Sequence, residues 1–276
     1  MMHVTLNTGA SMPMLGFGVY GLAEGAQCVD MVKFAVGAGY RSIDTAAGYD
    51  NERSVGRAVR ECGVARSELF VTTKLGNGEQ RSGKVAEAFD VSMEKLGLDY
   101  VDLYIIHWPC VPHHVDTWLA MEKIMASGRA RAVGVSNFQA HHLADIKKVW
   151  THAPALNQVE MHPFLTQKPL LAACRSEGIA PQSWSPLGGN RPLQERIFAS
   201  EPLVKIAEKY GKSPAQIILR WNMELGIITI PKSANPDRIK QNIDIFDFVL
   251  TAEEVAAIDA LNRDERGGPD PDNFDF

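Results

Sequence analysis

Short apolar runs alternate with helix-period segments along nearly the whole chain, and this alternation limits the possible folds more than any other feature. The strand-like runs are GFGV (16–19), RSIDTA (41–46), LFVTTK (69–74), VDLYIIHW (101–108), RAVGVSN (131–137), ALNQVEM (155–161), IAPQSWSP (179–186) and GIITIPKS (226–233). Between them lie segments such as SGKVAEAFDVSMEKLG (82–97) and NPDRIKQNIDIF (235–246), whose apolar residues recur at helical spacing. Eight βα units without a break, in roughly 250 residues, are the pattern of a (β/α)8 barrel. VTLNTG followed by SMPMLGFG reads as a short opening hairpin. SPAQIILRWNMELG (213–226) reads as an additional helix before the last strand, and TAEEVAAIDALN (251–262) as a terminal helix. No linker or composition shift divides the chain. The expected fold is therefore an α/β TIM barrel over residues 1–276 as a single domain, with a short N-terminal hairpin and extra C-terminal helices.

Composition narrows the function. A net charge of −5 with scattered basic residues gives no footprint for nucleic acid. The four cysteines, Cys28, Cys62, Cys110 and Cys174, lie far apart and form no CxxC pair, which fits reduced thiols. The opening MMHVTLNTGA has neither a basic n-region nor an apolar h-region, and no apolar run approaches membrane-spanning length. A cytoplasmic protein without membrane association is expected.

GFGVYG (16–21) matches G-x-G-x-x-G, with Asp44 at the distance of a ribose-binding acid in a dinucleotide fold. Three features oppose that reading. Pro13 sits where an uninterrupted core strand should run. Gly25 falls in the first turns of the supposed phosphate-binding helix. Eight units also leave no room for a second domain.

In a barrel the strand ends share one face, and polar residues there are candidates for chemistry. Asp44 ends the second unit's strand, with Tyr49 in the loop after it; Lys74 ends the third and His107 the fourth. An acid at the end of a core strand needs a positive partner, and Lys74 is the obvious one. Each residue alone has a bland reading, as a structural ion pair, a surface tyrosine or a satisfied core histidine. Together they place an acid, an ammonium, an imidazole and a phenol on neighbouring strand ends.

The segments GYRSIDTAAGYDNE, LFVTTKL, VDLYIIHWP, VGVSNF, NQVEMHP, WSPLG and IPKS resemble, in order, the signature segments of the aldo-keto reductases. The resemblance implies a monomeric barrel that reduces small-molecule carbonyls with NADPH through the tetrad Asp44, Tyr49, Lys74 and His107. In that arrangement Tyr49 donates the proton and the Lys74 charge strengthens it as an acid. Asp44 holds Lys74, and a neutral His107 orients the carbonyl. The resemblance also implies that Ser136, Asn137 and Gln158 hold the nicotinamide carboxamide and that Trp184 stacks on the ring, with Ser185 and Leu187 of the same segment at the cofactor. Lys232, Ser233 and Arg238 match a clamp for the 2′-phosphate, Gln241 and Asn242 lie near the adenine, and Tyr20 and Trp108 line the substrate pocket. No metal is implied.

Among subgroups the chain resembles the short-loop enzymes related to 2,5-diketo-D-gluconate reductase and prostaglandin F synthase. Gly76 and Gly48 depart from the pattern by removing volume beside the tetrad, and are expected to widen the pocket. A rival reading of Gly76 is that it only permits a positive φ. The short loop WPCVPHHV and the short tail suggest an open site, and the pairs His113–His114 and His141–His142 read as surface residues. Two other readings are weighed. A non-catalytic NADPH-binding sensor resembling potassium-channel β subunits is opposed by the intact tetrad, and a barrel hydrolase lacks a second catalytic carboxylate.

Overall fold

The computed structural model describes residues 2–274. Two antiparallel strands, β1 (His3–Thr5) and β2 (Ser11–Pro13), form the opening hairpin. Eight parallel strands follow in sequential order: β3 (Phe17–Gly18), β4 (Ser42–Asp44), β5 (Phe70–Leu75), β6 (Leu103–Ile106), β7 (Val133–Ser136), β8 (Leu156–Glu160), β9 (Ala180–Trp184) and β10 (Ile228–Thr229). Seven fall inside the runs marked from sequence, and β5 runs one residue past its own, to Leu75. Backbone bonds close the barrel between its first and last strands. Gly16 N–H donates to Thr229 O at 2.9 Å, Gly18 N–H to Pro231 O at 3.1 Å, and Thr229 N–H to Met14 O at 2.8 Å. The G-x-G-x-x-G match is thus a barrel strand, β3, and the next helix does not begin until Ala26.

Strand alternation builds two cores. Inward-facing Phe70, Leu103, Ile105, Leu156 and Ile228 fill the barrel floor, which Leu6 and Met12 of the hairpin region plug from below. The residues between them, such as Val71, Tyr104, Val133 and Val159, face outward into the larger core under the helices. Further up the same inward columns, apolar side chains give way to Asp44, Lys74, Gln158 and Gln182, so the upper barrel is polar though buried.

Three helices, Arg191–Phe198, Glu201–Tyr210 and Pro214–Glu224, occupy the interval before β10, and Pro236–Ile243 and Ala252–Asp259 follow it. Their starts were written in the sequence. Ser213 and Gln216 form a capping box with Pro214 at the first turn, and Thr251 and Glu254 form another.

Helices Glu52–Glu61 and Val85–Leu96 pack together through Gly56, where a Cβ would lie 1.8 Å from the Leu96 carbonyl oxygen. That oxygen belongs to a helix terminus and cannot swing aside like a side-chain end. Gly56→Ala is therefore expected to lower unfolding stability by about 2–3 kcal/mol, the upper part of the overpacking range. Urea denaturation of the variant measures this, and an unchanged midpoint would show that the two helices separate without loss.

Candidate active site

Lys74 lies on β5 with its side chain pointing into the barrel and no solvent exposure. An ammonium has three protons to place. They go to Asp44 Oδ1 on β4, to the Thr45 carbonyl at 2.8 Å and to the Tyr49 hydroxyl oxygen at 3.3 Å. Asp44 is only 2% exposed, and its second oxygen accepts from Gln158 Nε2 at 2.8 Å. Burial opposes a charge on Lys74, yet the Asp44 carboxylate and the Tyr49 oxygen outweigh it and hold the lysine above its ordinary value. The ammonium is charged.

Tyr49 ends a 3-10 turn, Ala47–Tyr49, that enters the site from the loop after β4. Asn51 anchors this loop, donating to the Val19 and Leu22 carbonyls at 3.0 and 2.9 Å and accepting from Thr45 Oγ1 at 2.7 Å. The ring meets His107 edge-on at 5.5 Å between centroids and Tyr20 at 5.1 Å. Because Lys74 donates to the phenol oxygen, the phenol proton stays free for another acceptor. Burial raises the Tyr49 pKa, Lys74 pulls it down, and the net direction is upward. The lysine acts with the expected sign, strengthening the acid, and desolvation is the larger effect. His107 moves the other way, down to about 3, through burial and the Lys74 charge, so it is neutral at pH 7.

A polar chain continues along the mouth. Asn137, in left-handed backbone at φ 64°, donates to the His107 carbonyl at 2.9 Å and to Ser136 Oγ at 3.2 Å. Its Oδ1 accepts from Trp184 Nε1 at 2.8 Å, which fixes the half-buried indole. Ser136 Oγ donates to the Gln158 carbonyl at 2.7 Å. With these donors spent, the capacity left on Ser136, Asn137 and Gln158 is that of acceptors. Half-buried Ser185 (φ 47°) and Leu187 follow Trp184.

At the rim beyond β10, Lys232 and Arg238 are exposed and have no ion-pair partner among the described residues. Ser233 Oγ accepts from Asn235 N–H at 3.0 Å, and Asn235 Oδ1 caps helix Pro236–Ile243. Asn242 is buried and Gln241 exposed on that helix. The exposed cations beyond β10 suit an anionic group such as a phosphate, and the spare acceptors around Trp184 suit an amide N–H.

A model of the Aldo/keto reductase family matches residues 14–263. Relatives include a glyoxal reductase of Bacillus subtilis (strain 168), 50% identical over 273 residues, 99% of this chain and 97% of that protein. A 9,11-endoperoxide prostaglandin H2 reductase of Trypanosoma cruzi (strain CL Brener) is 48% identical over 271 residues, 98% of this chain and 95% of that one. A solved Bombyx mori aldo-keto reductase in complex with NADP matches with a TM-score of 0.91 at 40% identity, covering 98% of this chain and 96% of that one. The chain belongs to the aldo/keto reductase family. It is an NADP(H)-dependent reductase of carbonyl groups, and no helix among its described residues is long and apolar enough to cross a membrane.

In this reductase Gly76 has φ −73°, which any residue adopts, so the positive-φ account of it fails. A Cβ there would meet only the end of the Glu79 side chain, at 2.5 Å, and one on Gly48 would meet nothing within 4 Å. The mouth is less open than its short loops suggest. Tyr20 is 68% exposed, but Trp108 is only 8% exposed because Phe274 of the tail stacks on it at 3.9 Å between centroids. The tail is held by Glu160 at the end of β8. This buried carboxylate accepts from the N–H groups of Gly267 at 2.6 Å and Gly268 at 3.1 Å. A Cβ on Gly268 would lie 2.5 Å from the Trp184 ring, so the tail backs directly onto the indole.

The paired histidines also differ from expectation. His114 and His142 are buried, not superficial, and His141 and His142 both face Asp272 of the tail, at 3.0 and 3.7 Å. These three could suit a metal ion by proximity. However, His142 Nδ1 accepts the Gln139 N–H at 3.1 Å, so in neutral His142 the ring proton sits on Nε2, the atom that faces Asp272. The trio is an electrostatic tether for the tail. The sequence reading had missed Glu160, Gln182, Asn51 and Thr45; a polar residue on a core strand was the available signal for the first two.

His107 and His142, held down at about 3 and about 4 against 6.5 for the free side chain, refuse protons that the unfolded chain accepts. Stability is therefore full above pH 6.5 and falls as pH drops below it, by about 1.4 kcal/mol per pH unit for each histidine. Denaturation at pH 7 and pH 5 should show this loss, and His107→Asn should reduce the slope by about one proton. An unaltered slope would mean that His107 is charged in the fold.

Proposed function

We propose that this enzyme reduces aldehydes and ketones, with small α-dicarbonyls and keto-sugars as the class, using Tyr49 as the general acid. The observation that carries the reading is the buried ammonium of Lys74 donating to the Tyr49 oxygen while leaving the phenol proton unassigned. Glyoxal, in the name of the B. subtilis relative, is an α-dicarbonyl. A Cβ on Gly48 would meet nothing within 4 Å, which supports room for larger carbonyls as well.

Bound NADPH supplies the hydride. The protein's part is to hold the carbonyl and deliver a proton to its oxygen. His107, neutral, directs an N–H at that oxygen, and Tyr49 lies beside it. The raised pKa keeps the phenol protonated at neutral pH, so the proton is present when charge develops on the substrate oxygen. Once the proton leaves, the phenolate is paired with an ammonium already in place, which requires no reorganisation. Asp44 keeps that ammonium charged and fixed. Ser136, Asn137, Gln158 and Trp184 would hold the nicotinamide end, with Ser185 and Leu187 at the cofactor. Lys232, Ser233 and Arg238 would hold the 2′-phosphate and Gln241 and Asn242 the adenine, while Tyr20 and Trp108 would line the substrate side.

Tyr49→Phe keeps the ring and removes the proton. Turnover with the best substrate from a panel of aldehydes, α-dicarbonyls and keto-sugars, followed as NADPH oxidation, is expected to fall about 10²- to 10⁴-fold. NADPH affinity should hardly change. Wild-type turnover in the variant would remove Tyr49 from the role.

Arg238 offers a planar fork to a phosphate, and a ribose hydroxyl gives it little to hold. Arg238→Ala should weaken NADPH binding by about one to two orders of magnitude and leave NADH binding nearly unchanged. Dissociation constants from quenching of intrinsic fluorescence decide the point, and equal losses for both cofactors would reject the clamp.

A further inference from the structure

Gln182 on β9 is the register partner of Gln158 on β8, and both side chains point into the barrel. Gln158 Nε2 donates to Gln182 Oε1 at 2.7 Å and to Asp44 Oδ2 at 2.8 Å. An amide nitrogen has two protons, and both are used. The orientation follows from chemistry, since a carboxylate only accepts and the edge of Gln158 facing Asp44 must be its nitrogen. The opposite edge, Oε1, has no protein partner and is not among the enclosed unpaired atoms, so it is the edge offered to a ligand. Gln182 itself is 1% exposed, and its Nε2 is enclosed with no partner. A side chain serving stability alone gains nothing from a stranded amide donor, which an apolar side chain of equal length would avoid.

We infer that Gln182 is a positioning residue for the cofactor. By taking the second N–H of Gln158 it fixes that residue's carbonyl edge toward the nicotinamide carboxamide, and the protein thereby presents an acceptor to the carboxamide NH2. The inference rests on the reading of Gln158 as a carboxamide contact. Asp44 alone holds the Gln158 amide by a single bond, about which the group turns; the second bond removes that freedom. Ser136 and Asn137, whose donors are already engaged, offer acceptors at the same place.

The test compares binding of NADPH with that of the reduced 3-acetylpyridine analogue, which keeps the ring carbonyl and replaces the NH2 by a methyl group. Dissociation constants are read by quenching of intrinsic fluorescence. The wild type is expected to prefer NADPH, Gln182→Met to narrow the ratio by about three- to tenfold, the contribution of one neutral hydrogen bond, and Gln182→Glu, which retains an acceptor, to keep it. The melting temperature of Gln182→Met should not fall. If Gln158→Met narrows the ratio and Gln182→Met leaves it unchanged, the inference is overturned and the carboxamide contact stands. If Gln158→Met also leaves it unchanged, the carboxamide reading fails and the inference with it. Equal weakening of both ligands in Gln182→Met, with a lowered melting temperature, assigns Gln182 a structural role and likewise overturns it. Gln182→Leu is the second loss variant should Met at this position not fold.

Discussion

A fully buried ammonium organises the upper barrel. Desolvating a lysine is unfavourable by several kcal/mol unless its charge and all its protons are met. Here a carboxylate, a backbone carbonyl and a phenol oxygen meet them from one side of the barrel. The strand register that places Asp44 beside Lys74, the stiff loop that returns Tyr49 and the amide that occupies the other oxygen of Asp44 all serve this one charge. The same charge helps to keep His107 neutral. The site is thus an electrostatic unit, and its members cannot be exchanged one at a time without leaving a buried group uncompensated.

The fold was legible because its signals are local. Strand alternation, capping boxes and turn residues each act within a few positions, and all eight barrel strands coincide with the runs the pattern marked to within one residue. The tetrad was legible because charged residues at core strand ends are costly and need one another. Glu160 obeys the same rule, ending the core strand β8 with an acid, yet besides His162 at 3.2 Å its partners are backbone N–H groups about a hundred residues away. A backbone donor leaves no trace in the identity of a side chain. Gln182 was hidden for a related reason: its value lies in an angle it imposes on Gln158, and sequence gives residues without angles.

The tail shows where composition-based reasoning about openness goes astray. A short segment was expected to leave the mouth uncovered. Length matters less than anchorage, and the anchors at Glu160 and at the His141, His142 and Asp272 tether bring Phe274 back over Trp108. His142, which looked like half of a surface pair, is buried against Phe138 and His114.

The Glu160 anchor has an evolutionary corollary. It grips main chain, asking only that two consecutive residues lack side chains, and it is silent about whatever follows them. Apart from Asp272, which also holds the tail, residues 270–274 can therefore diverge in chemistry while their point of attachment stays constant. A lineage could exchange the cap over Trp108 like a fitting on a fixed mount without disturbing the buried charges of Asp44 and Lys74.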